Sequence, residues 1–299
     1  RDQECSVTVA KPVLRSHPND LLCGLPGQAL GIAASLLGIQ GPTYTYNSTC
    51  TSGAVAIGQA WLHIAAGQLD VAMAGGHECS LVRPLYETYD RVGLLSHQED
   101  PKRAISPWVG QSANAFGEGA VTLVLESTEH ARARGATIIA TLSGYGFGNS
   151  GLHPTSVDGV GSRPAALVLE VLKAAGVETG NVSFVVGHGN GVRRSDMSEE
   201  NYMRRVFGGR SGEVPLVSVK PIYGHTLGAS SALNIAAAAL MVNRDFVVPT
   251  INIDASRVKR SANHMAGRGE SRPCEHGLAV SYGMGGQNSV VLVSKKRAA

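Results

Sequence analysis

The sequence predicts an α/β fold built of layers, because short apolar runs typical of strands alternate with longer runs of helical periodicity. A second observation is that the helical runs are rich in alanine, glycine and serine. Glycine alone supplies 37 of the 299 residues. Helices with such small side chains can pack closely on both sides, so we expect them to lie between sheets. No low-complexity linker divides the chain, which favours one interlocked domain.

Up to residue 142 the pattern predicts three helices and four strands. The predicted helices span residues 21–39, 51–66 and 129–134. The predicted strands span residues 44–46, 71–74, 121–125 and 138–142. The first two helices end beside Gly38 and Gly67, because glycine readily adopts the backbone conformation that stops a helix.

Beyond residue 142 the same alternation continues. The predicted helices span residues 164–175, 199–207 and 229–242. The predicted strands span residues 182–186, 216–219, 278–280 and 289–293, with a glycine turn at 283–286. A strand, a polar turn and a small-residue helix occur around Cys50 and again around His225. We therefore expect two pseudo-repeated halves, residues 1–140 and residues 141–299.

The charge and the apolar runs exclude several classes of protein. The net charge is only +3, which is too small to imply nucleic-acid binding but permits an acidic partner. The longest apolar run, residues 229–242, is too short to cross a membrane. The chain opens at Arg1 without a visible signal peptide, and its five cysteines lack Cys-x-x-Cys spacing. We therefore expect a reducing, cytoplasmic location.

Cys50 is a candidate nucleophile because it lies where a predicted strand meets a predicted helix. The free N–H groups at a helix N-terminus lower a thiol pKa and can bind a developing oxyanion. The alternative is a buried cysteine that acts as a small apolar residue, and for Cys50 alone that alternative is favoured.

His188 and His225 strengthen the catalytic interpretation. Each is flanked by glycine after a predicted strand, where a substrate can approach closely. With Cys50 they are expected to converge at one edge of an α/β fold, and a thiol with two imidazoles suits acyl transfer through a thioester. The competing interpretations are structural histidines and a zinc site, although the wide spacing of the three residues disfavours zinc.

Two glycine-rich segments and several basic pairs give weaker signals. Residues 146–151 have the spacing of a nucleotide-binding loop, but a proline follows where a helix should begin, so an ordinary glycine turn is favoured. In residues 283–286 the flexible Met284 lies between glycines and is suited to act as a gate. Basic pairs are normally solvated surface, yet a cluster of them would dock an acidic partner. They are Lys102-Arg103, Arg193-Arg194, Arg204-Arg205 and Lys259-Arg260.

Six motifs occur here in an order known from one family. They are STCTSG at residues 48–53, AGGHE at 74–78, FGEGA at 116–120, HG at 188–189, Lys220 with GHTLGA at 224–229, and YGMGGQN at 282–288. In these motifs the chain resembles the β-ketoacyl synthases, in particular the elongating ketosynthases, from about Leu22 to the C-terminus. The resemblance implies a thiolase-like αβαβα fold with two pseudo-repeated halves.

The resemblance implies a role for each central residue. Cys50 would take an acyl group from the phosphopantetheine arm of an acyl carrier protein, so the chain itself would hold no cofactor and no metal. His188 and His225 would assist decarboxylation of malonyl-carrier protein and stabilise the resulting enolate, because imidazole N–H groups are suitable donors. Lys220 would support the electrostatics and hydrogen bonding beside the histidines.

The same resemblance implies an oxyanion hole, a gate and a surface for the arm. The backbone N–H groups of Cys50 and Met284 would bind the oxyanion of acyl transfer. The gate loop would consist of Gly283, Met284 and Gly285. The positions expected to bind substrate are Asn190, Val192 and Tyr282.

Four departures from the family pattern modify these expectations. We expect this chain to lack the family's long opening segment, so that its N-terminal half is incomplete or is completed by another chain. Asn190 and Val192 replace two threonines that meet the pantetheine arm, which is expected to alter arm binding. A charged motif of the family is replaced by residues 109–116. Met284 replaces a gating phenylalanine and is expected to admit a different acyl chain.

The leading functional prediction is a ketosynthase that performs decarboxylative condensation in fatty acid, polyketide or polyene synthesis. Two alternatives remain open: a non-condensing partner subunit resembling a chain-length factor, and a cysteine-dependent acyltransferase or thioesterase. Expected partners are an acyl carrier protein and a second subunit, in a homodimer or in a heterodimer with a related ketosynthase-like chain. Nucleic acid and membrane are not expected partners.

Overall fold

The computed structural model describes residue 25 and residues 27–109, 113–257 and 263–296. The chain forms two compact units, residues 1–46 and residues 47–299. In the first unit, helix α1 (Gln28–Leu37) ends at Gly38, whose φ is 65°. It confirms part of the predicted helix 21–39, of which residues 21–24 and 26 lie outside the described residues. The predicted strand 44–46 is wrong, because no strand among the described residues pairs with it.

The second unit begins with a small antiparallel sheet and its flanking helices. The helices are α2 (Ser52–Ala65), α3 (Arg83–Arg91), α4 (Pro101–Ala104) and α5 (Thr128–Ala133). Strand β1 (Val71–Glu78) pairs with β2 (Gly119–Glu126). β1 continues past its predicted end at residue 74. There, Gly75 remains in the ladder, where a side chain would collide with the carbonyl of Val121.

The larger sheet has five strands, all from residues beyond 140. Its strands are β3 (Thr141–Asn149), β4 (Val182–Val186), β5 (Leu216–Val217), β8 (His276–Gly283) and β9 (Gln287–Ser294), in the order β3-β9-β8-β4-β5. β9 runs antiparallel to both of its neighbours, whereas β8, β4 and β5 are parallel. The short strands β6 (Phe246–Val247) and β7 (Glu270–Ser271) form a separate pair.

Helices cover both faces of the five-stranded sheet. The helices of this half are α6 (Ser162–Ala174), α7 (Arg193–Phe207), the short α8 (Lys220–Tyr223) and α9 (Leu227–Arg244), with 3₁₀ turns at residues 179–181, 208–212 and 255–257. α6 and α7 pack on one face, and α2 and α9 lie between the other face and the β1–β2 sheet. This confirms the expected burial of small-residue helices between sheets. None of the described helices is both long and apolar enough to cross a membrane.

The glycine-rich segment at residues 146–151 is not the turn that the sequence predicts. Residues 146–149 belong to β3 and pair with β9, with Gly146 opposite Val290. The predicted strand 138–142 accordingly begins only at residue 141 and continues to residue 149. A side chain at Gly146 would lie 2.6 Å from Val171 of α6, so glycine is required here for close packing of the helix on the strand.

Candidate active site

Cys50 lies in a strained turn directly before α2. The preceding residue, Thr49, has a φ of 54°, which is unusual for a β-branched side chain and costs about 1–3 kcal/mol. Ser52 stabilises the turn, because its hydroxyl accepts from Ser48 N at 2.9 Å and donates to Thr49 O at 2.7 Å. Cys50 itself is buried.

The resting thiol of Cys50 is protonated at neutral pH. Burial raises its pKa to about 11, an effect opposed by the charge of Lys220 and reinforced by that of Glu78. The expectation that the helix N-terminus would favour the thiolate is therefore wrong for the resting protein. Removing the thiolate from water outweighs the electrostatic benefit of its neighbours.

The two candidate histidines lie side by side in the core. His188 follows β4 directly, and His225 lies between α8 and α9. Their ring centroids are 5.3 Å apart with the rings perpendicular, and both side chains are almost fully buried. Burial lowers both pKa values well below the usual range, and the charge of Lys220 adds to this effect. Both imidazoles are therefore neutral at pH 7.

Hydrogen bonds hold each ring in place. The Nδ1 atom of His188 accepts from the backbone N–H of Tyr282 at 3.3 Å, so the proton of the neutral ring is on Nε2. The Nδ1 atom of His225 lies 2.7 Å from the hydroxyl of Ser230, on the first turns of α9. His188 thus has an N–H group available for an acceptor other than its structural partner.

Lys220 is buried next to the histidines. Its Nζ donates to the carbonyl of His188 at 2.5 Å. Burial lowers its pKa to about 8, although Cys50 and Glu199, whose ionised forms are negative, limit the fall. Cys50, the two histidines and Lys220 therefore share one electrostatic environment, although Cys50 precedes His225 by 175 positions in the sequence.

Two buried carboxylates complete this network, and the sequence interpretation missed both. The two oxygens of Glu199 accept from the backbone N–H groups of His188 at 2.6 Å and Gly189 at 2.7 Å. The indole of Trp108 donates to the same carboxylate at 3.2 Å, and its backbone N–H donates to Asp196 at 2.8 Å. A signal was present: a buried lysine requires a carboxylate partner, and Asp196 and Glu199 lie one turn apart on α7.

Burial dominates the ionisation of both carboxylates. It raises the pKa of Glu199 to about 7, an effect opposed by N–H donors and by Lys220. It also raises the pKa of Asp196 well above its usual range. Glu199 and Lys220 thus titrate close to neutral pH and carry a charge that depends on their neighbours.

The glycine turn at residues 284–286 joins β8 and β9, as predicted, and contacts the Cys50 turn. A side chain at Gly283 would collide with Thr49 and would lie 2.9 Å from Ser48 O, so only glycine fits. Gly285 has a φ of 83° and accepts from Asn149 through its carbonyl. The carbonyl of Met284 lies 3.5 Å from the Thr49 hydroxyl. The predicted gate residue therefore lies beside the candidate nucleophile.

The other three sequence-predicted positions lie around His188. Asn190 is buried, and its side-chain oxygen accepts from the backbone N–H of Val192 at 3.1 Å, which closes the loop before α7. Tyr282 is fully buried, with its ring 5.5 Å from that of His188 and its hydroxyl accepting from Ser198. Tyr282 therefore helps to fix the position of the His188 ring, by packing against it and through its backbone N–H.

No group of three or more histidine, cysteine or acidic side chains in the described ranges could hold a metal ion. The three cysteines in this part of the chain, Cys50, Cys79 and Cys274, are free thiols.

Comparison with protein families identifies two adjoining domains. The N-terminal domain of β-ketoacyl synthases matches residues 14–131, and the C-terminal domain matches residues 139–254. Two proteins described as putative polyketide beta-ketoacyl synthase 1 are similar: that of Streptomyces cyaneus is 32% identical (90% of this chain, 64% of the relative), and that of Streptomyces halstedii is 31% identical (95% and 68%). A 3-oxoacyl-[acyl-carrier-protein] synthase 2 of Rhizobium meliloti is 31% identical (91% and 66%). The chain spans about two thirds of the length of these relatives.

Solved structures give the same result. A type II polyketide ketosynthase bound to a hexaketide, in complex with its acyl-carrier protein, superposes with a TM-score of 0.89 at 28% identity, over 94% of this chain and 70% of the matched one. The ishigamide ketosynthase/chain length factor superposes with a TM-score of 0.84 at 28% identity, over 91% and 66%. The chain has the thiolase-like fold and belongs to the β-ketoacyl synthase family of acyltransferases.

Proposed function

We propose that this chain carries the active site of a β-ketoacyl-[acyl carrier protein] synthase, which performs decarboxylative condensation in fatty acid or polyketide synthesis. The observation that supports it most is the pair of buried, neutral imidazoles beside Lys220 in the same environment as Cys50. Neutral rings supply N–H donors to a developing enolate, whereas a solvated, charged pair would not hold a fixed geometry.

In the first half-reaction the Cys50 sulfur attacks the thioester carbonyl of an acyl-carrier protein. The carbon–sulfur bond to the pantetheine arm breaks, the arm leaves as a thiol, and the acyl group remains on Cys50. The thiol proton of Cys50 passes to the leaving sulfur, so no net proton is released. The backbone N–H groups of Cys50 and Met284 would bind the oxyanion of this step.

In the second half-reaction malonyl-carrier protein loses carbon dioxide, and the electron pair of the broken carbon–carbon bond forms an enolate. The N–H groups of His188 and His225 would stabilise the enolate oxygen. The enolate carbon then attacks the acyl-Cys50 thioester, forms a carbon–carbon bond and expels the Cys50 thiolate. The thiolate then takes up one proton from water, which its high pKa favours. The product is a β-ketoacyl-carrier protein two carbons longer.

Intact-protein mass spectrometry tests this function. Incubation with acyl-carrier protein is expected to add one acyl group, which malonyl-carrier protein then removes with release of carbon dioxide. Cys50→Ala is expected to abolish the adduct, while Cys79→Ala, at an exposed cysteine, leaves it intact. An adduct that simply hydrolyses would indicate an acyltransferase or thioesterase, and the absence of any adduct would indicate a non-condensing partner subunit.

A cationic groove on α7 supports an acidic carrier protein as the partner. The groove has a volume of about 490 Å³ and is lined by Gly159, Val160, Arg193, Arg194, Met197, Asn201 and Arg205. Among the described residues its three arginines form no salt bridge. Backbone carbonyls accept from the Nε atoms of Arg194 and Arg205, which fixes their guanidinium groups. Of the four basic pairs, Lys259-Arg260 lies outside the described residues.

Charge reversal tests this docking surface separately from the chemistry. Arg193→Glu with Arg194→Glu is expected to raise the KM for acyl-carrier protein about tenfold, and added salt should weaken wild-type docking in the same way. Loading of Cys50 from a small acyl thioester should not change. Arg132→Glu, on the exposed side of α5, is the control. An unchanged KM for the carrier would reject the groove while leaving the proposed reaction intact.

The related complexes with a carrier protein and with a chain length factor support a two-subunit assembly for this chain as well.

A further inference from the structure

Tyr89 is a conspicuous residue that neither the sequence motifs nor the proposed chemistry explains. It lies on α3, and its hydroxyl donates to the sulfur of Met284 at 3.4 Å. Its ring packs edge-on against Phe116, with the centroids 4.9 Å apart. Tyr89 is half-buried, so its hydroxyl is partly shielded from water. The thioether sulfur of Met284 is the acceptor that the structure shows for this hydroxyl.

The other neighbours of this contact belong to the candidate active site. The Met284 carbonyl lies beside Thr49, the residue before Cys50. Phe116 is held at the His225 loop by two backbone hydrogen bonds around it, His225 N to Ala115 O at 2.7 Å and Gly117 N to His225 O at 3.2 Å. Burial and the charges of Cys50 and Glu78 raise the pKa of Tyr89, which keeps the phenol protonated as a donor. Tyr89 therefore bridges the Met284 loop and the histidine side.

We propose that the Tyr89 hydroxyl is a latch that holds the Met284 side chain beside Cys50 and thereby restricts the length of acyl chain that reaches the thiol. The proposal deepens the proposed function, since it concerns which acyl groups that site accepts. A thioether is a weak acceptor and methionine has three rotatable bonds, so the latch can open without a large cost. Without the hydroxyl, Met284 would sample other rotamers and leave more room next to Cys50.

The test is a double-mutant cycle of Tyr89→Phe and Met284→Leu, which removes the donor, the acceptor, or both while conserving volume. The readout is modification of Cys50 by methyl and octyl methanethiosulfonate, followed on the Cys50 peptide by mass spectrometry in a Cys79→Ser background. We expect Tyr89→Phe to raise the octyl-to-methyl rate ratio about three- to tenfold. In the Met284→Leu background Tyr89→Phe should have no further effect.

Tyr86→Phe is the matched control, because Tyr86 also packs against Phe116, at 6.1 Å, but is 46% exposed. It should leave the ratio unchanged, and equal melting temperatures should exclude unfolding. An unchanged or lower ratio in Tyr89→Phe overturns the latch, as does an equal effect in the Met284→Leu background. This readout needs neither carrier protein nor condensation, so it is decided even if the proposed reaction fails. When acyl-carrier proteins with acyl chains of increasing length are offered, the Tyr89→Phe variant should load the longer chains onto Cys50 more readily than the wild type does.

Discussion

The candidate site has an acyl side and an imidazole side, and the two are built differently. On the acyl side, Met284 and Tyr89 are only half-buried and are joined by one weak hydrogen bond to sulfur. On the imidazole side, His188, Lys220 and Glu199 are fully buried and linked by hydrogen bonds of 2.5–2.7 Å. A rigid imidazole side preserves the positions of charge-stabilising groups, while an adjustable acyl side can accommodate different chains. Changes on the imidazole side should affect the chemistry, and changes on the acyl side should affect which acyl chains are accepted.

Replacing His188 is expected to have the largest effect on the chemistry. His188→Ala removes an N–H donor to the enolate, so condensation should slow about 100- to 1000-fold. Acylation of Cys50 should be largely preserved, because it belongs to the other half-reaction. The two steps are measured as carbon dioxide release and as the Cys50 adduct. Normal condensation by this variant would mean that the assigned role is wrong.

A smaller effect is expected for Glu199→Gln, which keeps the shape but replaces one accepting oxygen with an amide nitrogen. One of the two N–H groups of His188 and Gly189 then loses its acceptor, at a cost of about 1–3 kcal/mol in the free energy of unfolding. The value of kcat should fall more than KM rises, because the His188 loop is displaced while the acyl side is untouched. Glu129→Gln, on an exposed turn of α5, is the control. Equal stability and equal kcat would show that the carboxylate does not position His188.

The smallest effect concerns the ionisation of Cys50. The rate of alkylation by iodoacetamide should rise with pH toward the pKa of about 11, because only the thiolate reacts. Lys220→Met removes a positive charge and should slow alkylation several-fold at pH 7. Since the pKa of Lys220 is about 8, the difference should disappear above pH 9, where wild-type Lys220 is neutral. A constant difference at high pH would mean that Lys220 acts on Cys50 through structure rather than charge.

Much of the fold and of the imidazole side could be predicted from the sequence, because both leave local signals. The alternation of strands and helices predicted the layers, and glycine-flanked His188 and His225 were predicted as a pair. The role of Glu199 was not predicted, since charged residues on an amphipathic helix normally face water. The pKa of Cys50 escaped too, because burial is a property of the whole fold and outweighs the local helix N-terminus.

The tertiary contacts of Gly146 and Tyr89 could not be predicted from the sequence either. Gly146 has the sequence signature of a turn, and only the approach of α6 explains its place in a strand. Tyr89 meets Met284 across 195 residues, and no spacing within the chain predicts that contact.

The balance of products distinguishes condensation from hydrolysis at Cys50. When acyl-loaded protein meets malonyl-carrier protein, we expect one carbon dioxide and one β-ketoacyl thioester for each acyl group lost from Cys50. Loss of the acyl group as free acid, with no carbon dioxide, would show that the protein is not a condensing enzyme.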